Sequence, residues 1–493
     1  MSGGSIVELV FGRQQQHPHS RGRLYWLAAQ VVRWAALIGA PLLRLVFRLL
    51  QLIAHLLGWA AALIIRLLQN TGARIFQYIV RLLKWATAIA VLAALCWGLA
   101  TEVRTSFLQS RLFSNMTRDM SFAVGPGASS SIRFPKWGPY DERLGYVGLP
   151  VFIASLGAHR FAIERQAEWS PELDRFVDDG GYAIYREKAR AGLRLYDCDG
   201  NPLYAASYPQ GAYRNFSSIP PLIVNSLLFI EDHELLDPEN PRRNPAVEWS
   251  RLMLAVAGRI AGLVDRRFRE GGASTLATQI EKFRHSPEGR TPGAVEKLRQ
   301  MVSASARAYR DGPDTTAARR RIVTTYLNSE TFASRLGYGE IIGVPEALWL
   351  WYGTEMTEAN RVLSNPTATG SQLARKGEVY RQVLSLLLAG RRPAHYLVDD
   401  HAALEVLTDN YLKLIAGAGI IDLELRDAAL HARLHFRAGL PSTPAVSFVG
   451  SKATERLRDR LVSLLRLPRS LCPRSARPDR LCERRHSGAE ADH

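Results

Sequence analysis

Cysteine is scarce and scattered. Cys96, Cys198, Cys472 and Cys482 form no C-x-x-C pair and join no His-rich cluster, and Cys96 lies in an apolar run. Neither a disulfide framework nor a zinc or iron–sulfur site is expected from that pattern. Acidic residues are nearly missing from one end: Met1 to Lys84 holds ten Arg or Lys residues against the single acid Glu8. No internal repeat is present, and no stretch interleaves basic residues with aromatics as a nucleic-acid module would.

What is there is a chain of 493 residues, enough for two or three domains, with 47% hydrophobic residues. The formal charge of +17 and the pI near 10.0 imply anionic partners. Over half of that excess sits beside the most apolar stretch, so anionic membrane lipid is expected as a partner and nucleic acid is not.

Trp85 to Ala100 carries no charge; Leu82 and Leu83 extend it and Lys84 can snorkel. That makes about twenty residues, enough to span a bilayer. The run starts far from Met1 and lacks a small-residue cleavage site, unlike a signal peptide. With Arg81 and Lys84 before it, the positive-inside rule puts residues 1–80 in the cytoplasm and everything after Thr101 outside. Upstream, Arg33, Arg44, Arg48, His55 and Arg66 fall within about 60° of one another on a helical wheel, a narrow basic stripe suited to a helix lying in the membrane interface. Gly39 and Pro41 would interrupt it. The alternative is a helical hairpin, 24–43 and 49–65; either arrangement leaves an odd number of spans.

Residues 102–190 form a mixed region of unknown role. Around Asp199-Gly200, two short strands are expected. Apolar residues at three- and four-residue spacing then predict helices from Pro220 to about Arg391, and two more across 398–435. The tail 469–493, rich in Arg and Pro, reads as disordered or as the mark of a truncated or frame-shifted longer protein.

Four segments carry chemistry. An apolar helix ends in Glu231-Asp232, which alone would be an ordinary solvated terminus. Gly271 to Thr275, followed by Gln279 and Lys282, is a Gly-rich turn opening a helix, able to offer N–H groups to an anion or simply to cap itself. Glu296 to Gln300 begins another helix. Ile322 to Asn328 lies on a further one, ahead of a Gly-containing stretch and Tyr352-Gly353. Each of these two alone is more often an amphipathic helix with a charged face.

Taken in order, these segments resemble glycosyltransferase family 51, the domain of class A penicillin-binding proteins and monofunctional transglycosylases. The first family motif opens Glu-Asp, matched at Glu231-Asp232. The second, Gly-Gly-Ser-Thr-Ile-Thr-Gln-Gln-Leu-x-Lys-Asn, is matched at Gly272, Ser274, Thr275, Gln279 and Lys282. The third, Arg-Lys-x-x-Glu, aligns with Glu296 to Gln300 and keeps Lys297. The fourth, Ile-Leu-Glu-x-Tyr-Leu-Asn, aligns with Ile322 to Asn328 and keeps Tyr326 and Asn328. The resemblance covers about residues 190–355. This chain departs from the pattern after Asp232, where the family's Phe and His-Gly are replaced by an insertion and Arg251 stands in for a later Arg. The third motif's Glu is Gln300 and the fourth's is Thr324. Neither Ser-x-x-Lys nor Lys-Thr-Gly occurs, so no transpeptidase site is expected.

The resemblance implies a mainly α fold, a lysozyme-like helical glycosyltransferase domain with a small β lead-in, preceded by membrane helices. The expected organisation is a basic membrane-associated region 1–80, a span 81–101, the region 102–190, the glycosyltransferase-like domain 191–395, helices 396–468 and the tail 469–493. It further implies a bacterial inner-membrane enzyme with its catalytic domain outside, polymerising lipid II into the nascent glycan strand, with other cell-wall synthesis proteins as partners. Glu231 would be the general base, with Gln300 in the place of the second acid. Asp232, Arg251, Gly272, Ser274, Thr275, Gln279, Lys282, Lys297, Tyr326 and Asn328 would bind substrate. No cofactor is expected, though a divalent cation at the diphosphate, without assigned ligands, fits the chemistry. Two alternatives remain: a catalytically degraded member acting as a lipid-substrate-binding scaffold, motivated by Gln300 and Thr324, and a lytic enzyme using the same lysozyme-like fold.

Overall fold

The computed structural model describes residues 73–135, 138–185, 190–196, 200, 202–249 and 274–440, with isolated positions at 51, 55, 58–60, 459, 460 and 463. Arg33, Arg44, Arg48 and Arg66 of the basic stripe, Asp199, and the tail 469–493 lie outside the described residues.

The expected span 81–101 lies within a longer helix, α1 (Ala73–Thr105), of which Gln77–Thr105 is long and apolar enough to cross a membrane. Composition sets where such a helix is apolar but not where it stops. Thr87, Thr101 and Thr105 do not break it, because their hydroxyls donate to carbonyls four residues back at 2.7–2.8 Å. It ends at Ser106, whose φ of 49° is left-handed. There the Glu102 carboxylate accepts from the backbone N–H groups of Leu108 and Gln109, at 2.7 and 3.0 Å, and starts α2 (Phe107–Thr117).

The region 102–190 folds onto the helical body. Strand β1 (Phe122–Pro126) pairs antiparallel with β2 (Arg165–Trp169), and between them lie α3 (Pro139–Arg143) and the apolar α4 (Leu149–Ala158). Ser170 caps α5 (Pro171–Asp178) by accepting from the N–H of Leu173. Phe113, Leu173, Phe176 and Ile184 are buried against Ala306 and Tyr309, at the end of helix α8 (Ala294–Ala308).

The expected strand pair is β3 (Ala191–Tyr196) and β4 (Pro202–Tyr208), antiparallel. The body then runs α6 (Pro221–Glu231), α7 (Leu276–His285), α8 and α9 (Thr316–Ser329). Helical periodicity is broken by a hairpin of β5 (Thr331–Arg335) and β6 (Gly339–Ile342), which the sequence reading did not anticipate. After it come the short α10 (Val344–Ala347), α11 (Met356–Leu363), α12 (Gly370–Ala389), α13 (His401–Gly417) and α14 (Leu423–His431).

Helix α12 is the axis of the core. Beyond Gly377 it is buried on nearly every side, the polar Arg381, Gln382 and Ser385 included. Val379, Val383 and Leu386 share one cluster with Ile223 and Leu227 of α6, Leu412 of α13 and Leu425 of α14. The architecture is mainly helical with a few short strands, in keeping with a lysozyme-like domain.

Candidate functional site

The site forms where helix ends meet. Glu231 is the last residue of α6, and its side chain is 13% exposed. One carboxylate oxygen accepts from Gln279 Nε2 of α7 at 3.3 Å. The other accepts from Nε and Nη2 of Arg391, both at 3.3 Å. Asp232, the next residue, is buried at the C-cap, its N–H donating to the carbonyl of Leu228.

Helix α7 begins as the sequence suggested. Thr275 is its N-cap and forms a reciprocal capping box with Thr278, its own side chain 1% exposed. That hydroxyl is turned into the helix end. Ser274, beside it, accepts from Lys297 Nζ at 2.8 Å, and Thr278 Oγ1 lies 3.3 Å from the same ammonium. Burial, and secondarily repulsion from Lys282, holds the Lys297 ammonium down to about 8. Lys282 lies over the ring of Phe283, 4.9 Å from its centroid. The second and third motifs therefore bring two cations near each other, Lys297 beside the start of α7 and Lys282 in its last turn, an arrangement suited to a diphosphate.

Gln300 belongs to a different cluster. It is 1% exposed, and its Nε2 donates to Ser286 Oγ at 2.9 Å and Thr291 Oγ1 at 3.0 Å. Ser286 in turn donates to Glu296, which also accepts from the Tyr182 hydroxyl. Tyr182 comes from the 102–190 region, so that region reaches the third motif directly.

Tyr326 is buried on α9, and burial holds its phenol well above its usual range. Asn328 turns inward: its Oδ1 accepts from the Tyr213 N–H at 2.8 Å and its Nδ2 donates to the Tyr213 carbonyl at 2.9 Å. Gly343, with φ of 80°, closes over it; a Cβ there would sit 2.9 Å from the Asn328 carbonyl oxygen. Arg251 and Gly272 lie outside the described residues.

Residues 199–369 match the family model described as Transglycosylase. This segment is a transglycosylase domain of the glycosyltransferase 51 type. No curated protein matches the chain. The match supports, for this segment, the peptidoglycan glycosyltransferase family and its place in cell-wall synthesis.

Two groups beside Glu231 were not singled out from the sequence. Arg391 falls beyond the matched segment and belongs to no motif; a basic pair after the Gly that ends α12 is its one signal. Glu330, two residues past Asn328, reads as an acid at a helix end, yet it is 4% exposed. Burial lifts its carboxyl to about 8. Among the described residues no group of three or more His, Cys, Asp or Glu side chains is arranged to hold a metal ion.

Proposed function

We propose that this chain is a membrane-bound peptidoglycan glycosyltransferase that polymerises lipid II, with Glu231 as general base. The acceptor sugar's 4-hydroxyl attacks the anomeric carbon of the lipid-diphosphate-linked strand. The new C–O bond forms as the anomeric bond to diphosphate breaks on the opposite face, inverting the centre. The hydroxyl proton passes to Glu231, and Lys282 and Lys297 meet the charge developing on the leaving diphosphate. One observation carries this reading: a carboxylate at a helix end, held by Gln279 and Arg391, inside a transglycosylase domain.

Detergent-solubilised full chain is expected to convert lipid II to glycan polymer. Glu231→Gln should abolish that conversion while leaving folding and lipid II binding nearly intact. No polymer under conditions where a homologous polymerase makes it overturns the reading; undiminished turnover in Glu231→Gln overturns the base assignment.

The apolar α1 and the basic residues before it support an inner-membrane location with the domain outside and anionic lipid around the N-terminal region. Asn115→Cys, beyond the span and exposed, in a chain whose own cysteines are replaced by serine, should react with an impermeant maleimide on intact spheroplasts; protection there reverses the orientation.

A second reading, a lipid-substrate-binding scaffold without turnover, is favoured by Gln300. Where the family carries its second glutamate, this side chain cannot ionise and is hydrogen-bonded to Ser286 and Thr291. On that reading the chain binds lipid II, or the family inhibitor moenomycin, and makes no polymer.

A further inference from the structure

Glu330 has no part in the chemistry above, yet it is buried beside the groups that carry it. It follows the last residue of α9. The Tyr326 hydroxyl, from the same helix, donates to its carboxyl; Lys282 of α7, Glu231 of α6 and Arg143 of α3 face it. Arg143 is committed elsewhere, its guanidinium gripping Glu340 of β6 through two 2.7 Å contacts. On the remaining side lies Gly390, where an added Cβ would come within 3.2 Å of Glu330 Oε1. Gly390 is followed by Arg391, the residue that holds Glu231. Oε2 of Glu330 has no hydrogen-bond partner among the described residues. Tyr326 feels both carboxyls, and Arg391 too.

Two carboxyls in one buried neighbourhood do not both ionise readily. Arg391 and Gln279 contact only one of them, Glu231. The other is the deeper, 4% exposed. We propose that Glu330 is the positioning partner of Glu231: the two form a pair carrying one negative charge, with the proton on Glu330 and the charge on Glu231. The inference rests on the polymerase reading only in taking Glu231 as the base. Burial is the first cause lifting the Glu330 carboxyl to about 8; Tyr326 and Lys282 pull the other way and the Glu231 charge adds to the rise. Position 300 being neutral, the site's second acid then comes from the end of α9. Through neutral pH its proton spares Glu231 a neighbouring anion.

The test uses the full-length protein in detergent and needs no turnover. An unfolded glutamate releases its proton near pH 4.5, whereas native Glu330 keeps it to about 8. Over that window the wild-type melting temperature should fall with rising pH relative to Glu330→Gln. Glu231→Gln removes the partner charge and should move the fall to lower pH. In the infrared, the wild type should lose a protonated-carboxyl band on passing from about pH 6 to about pH 10, outside the range of ordinary carboxylates; Glu330→Gln should lack that loss. Parallel melting curves for wild type and Glu330→Gln overturn the proposal, as does a transition that ignores Glu231→Gln. If Glu330→Gln does not fold, the infrared transition of the wild type and its displacement in Glu231→Gln decide. Lipid II polymerisation by the same preparations is scored separately, so an inactive protein removes the polymerase reading and leaves the charge-sharing pair to stand or fall by itself.

Discussion

Arg391 holds Glu231 across 160 residues of sequence. Its Nη2 also donates to the carbonyl of Ile230 at 3.2 Å, so one guanidinium binds both the carboxylate and the last turn of α6. The C-terminal end of a helix carries the negative end of the helix dipole, a poor place for a carboxylate. A cation there offsets the dipole and fixes the direction of the side chain together.

Arg391→Ala should therefore leave Glu231 held by Gln279 alone. The Arg391 side chain is 53% exposed, so solvent screening limits the pair to about 1 kcal/mol or less of stability. Polymerisation should fall roughly three- to tenfold, the range matching about 1 kcal/mol, with little change in melting temperature. Unaltered polymerisation would reduce Arg391 to an ordinary surface pair.

Lys297 gives a pH signature. Below about 8 the buried ammonium is charged; above it the native protein has released a proton that the unfolded chain keeps to about 10.5. Stability should accordingly rise with pH across that window, because the unfolded state then binds more protons. Substrate affinity should move oppositely, since the neutral amine no longer attracts the diphosphate. The expected result is a kcat/KM that declines above about pH 8, a decline that Lys297→Arg carries to higher pH because a guanidinium stays protonated beyond about pH 12. A limb that does not move in Lys297→Arg assigns the decline to another group.

The parts of this fold that were legible share a local cause. Pro221 opens α6, Thr275 caps α7, and Gly200 turns β3 into β4; each is chemistry within a few residues of the element it starts or ends. The β5–β6 hairpin was missed because its signal is backbone conformation: Gly337, Gly339 and Gly343 all take positive φ, while apolar spacing across the stretch imitates a helix. The site divides the same way. Glu231, Gln279 and Lys297 lie in segments that match the family's motifs in order, and it is the resemblance that names them. Arg391 reaches the site through tertiary packing of α12 against α6, which no spacing encodes, and Glu330 differs from a solvated helix-end acid solely by its burial.

Gln300→Glu asks whether restoring an acid at position 300 restores a second site acid. The new carboxyl would share Ser286 with Glu296, which already accepts from that hydroxyl and from Tyr182. Two acids on one buried donor leave lone pairs unmet and repel when both are charged, so the variant should lose about 1–3 kcal/mol. The loss should grow as pH rises and the new group is forced to ionise. Polymerisation should not increase. A tenfold or greater rise, about 1.4 kcal/mol in barrier, would show instead that position 300 still faces the reacting groups.

Asn328 matches a family motif, but its geometry argues for holding the fold. Both polar ends of its amide are spent on the backbone of Tyr213, at 2.8 and 2.9 Å, in a place where the side chain is 6% exposed. Asn328→Ala deletes both bonds and leaves a buried N–H and C=O without their partners, which costs about 2–4 kcal/mol when two such groups are counted. Asn328→Asp keeps an acceptor for the N–H but turns a carboxylate oxygen toward the Tyr213 carbonyl, so it should be destabilised as well, and more at high pH than at low. Lipid II affinity, measured well below the variants' melting temperature, should stay within about twofold of wild type, because ordinary additivity confines the effect to stability when a side chain does not meet the ligand. A loss of affinity of tenfold or more in a folded Asn328→Ala would return this residue to the substrate-binding set.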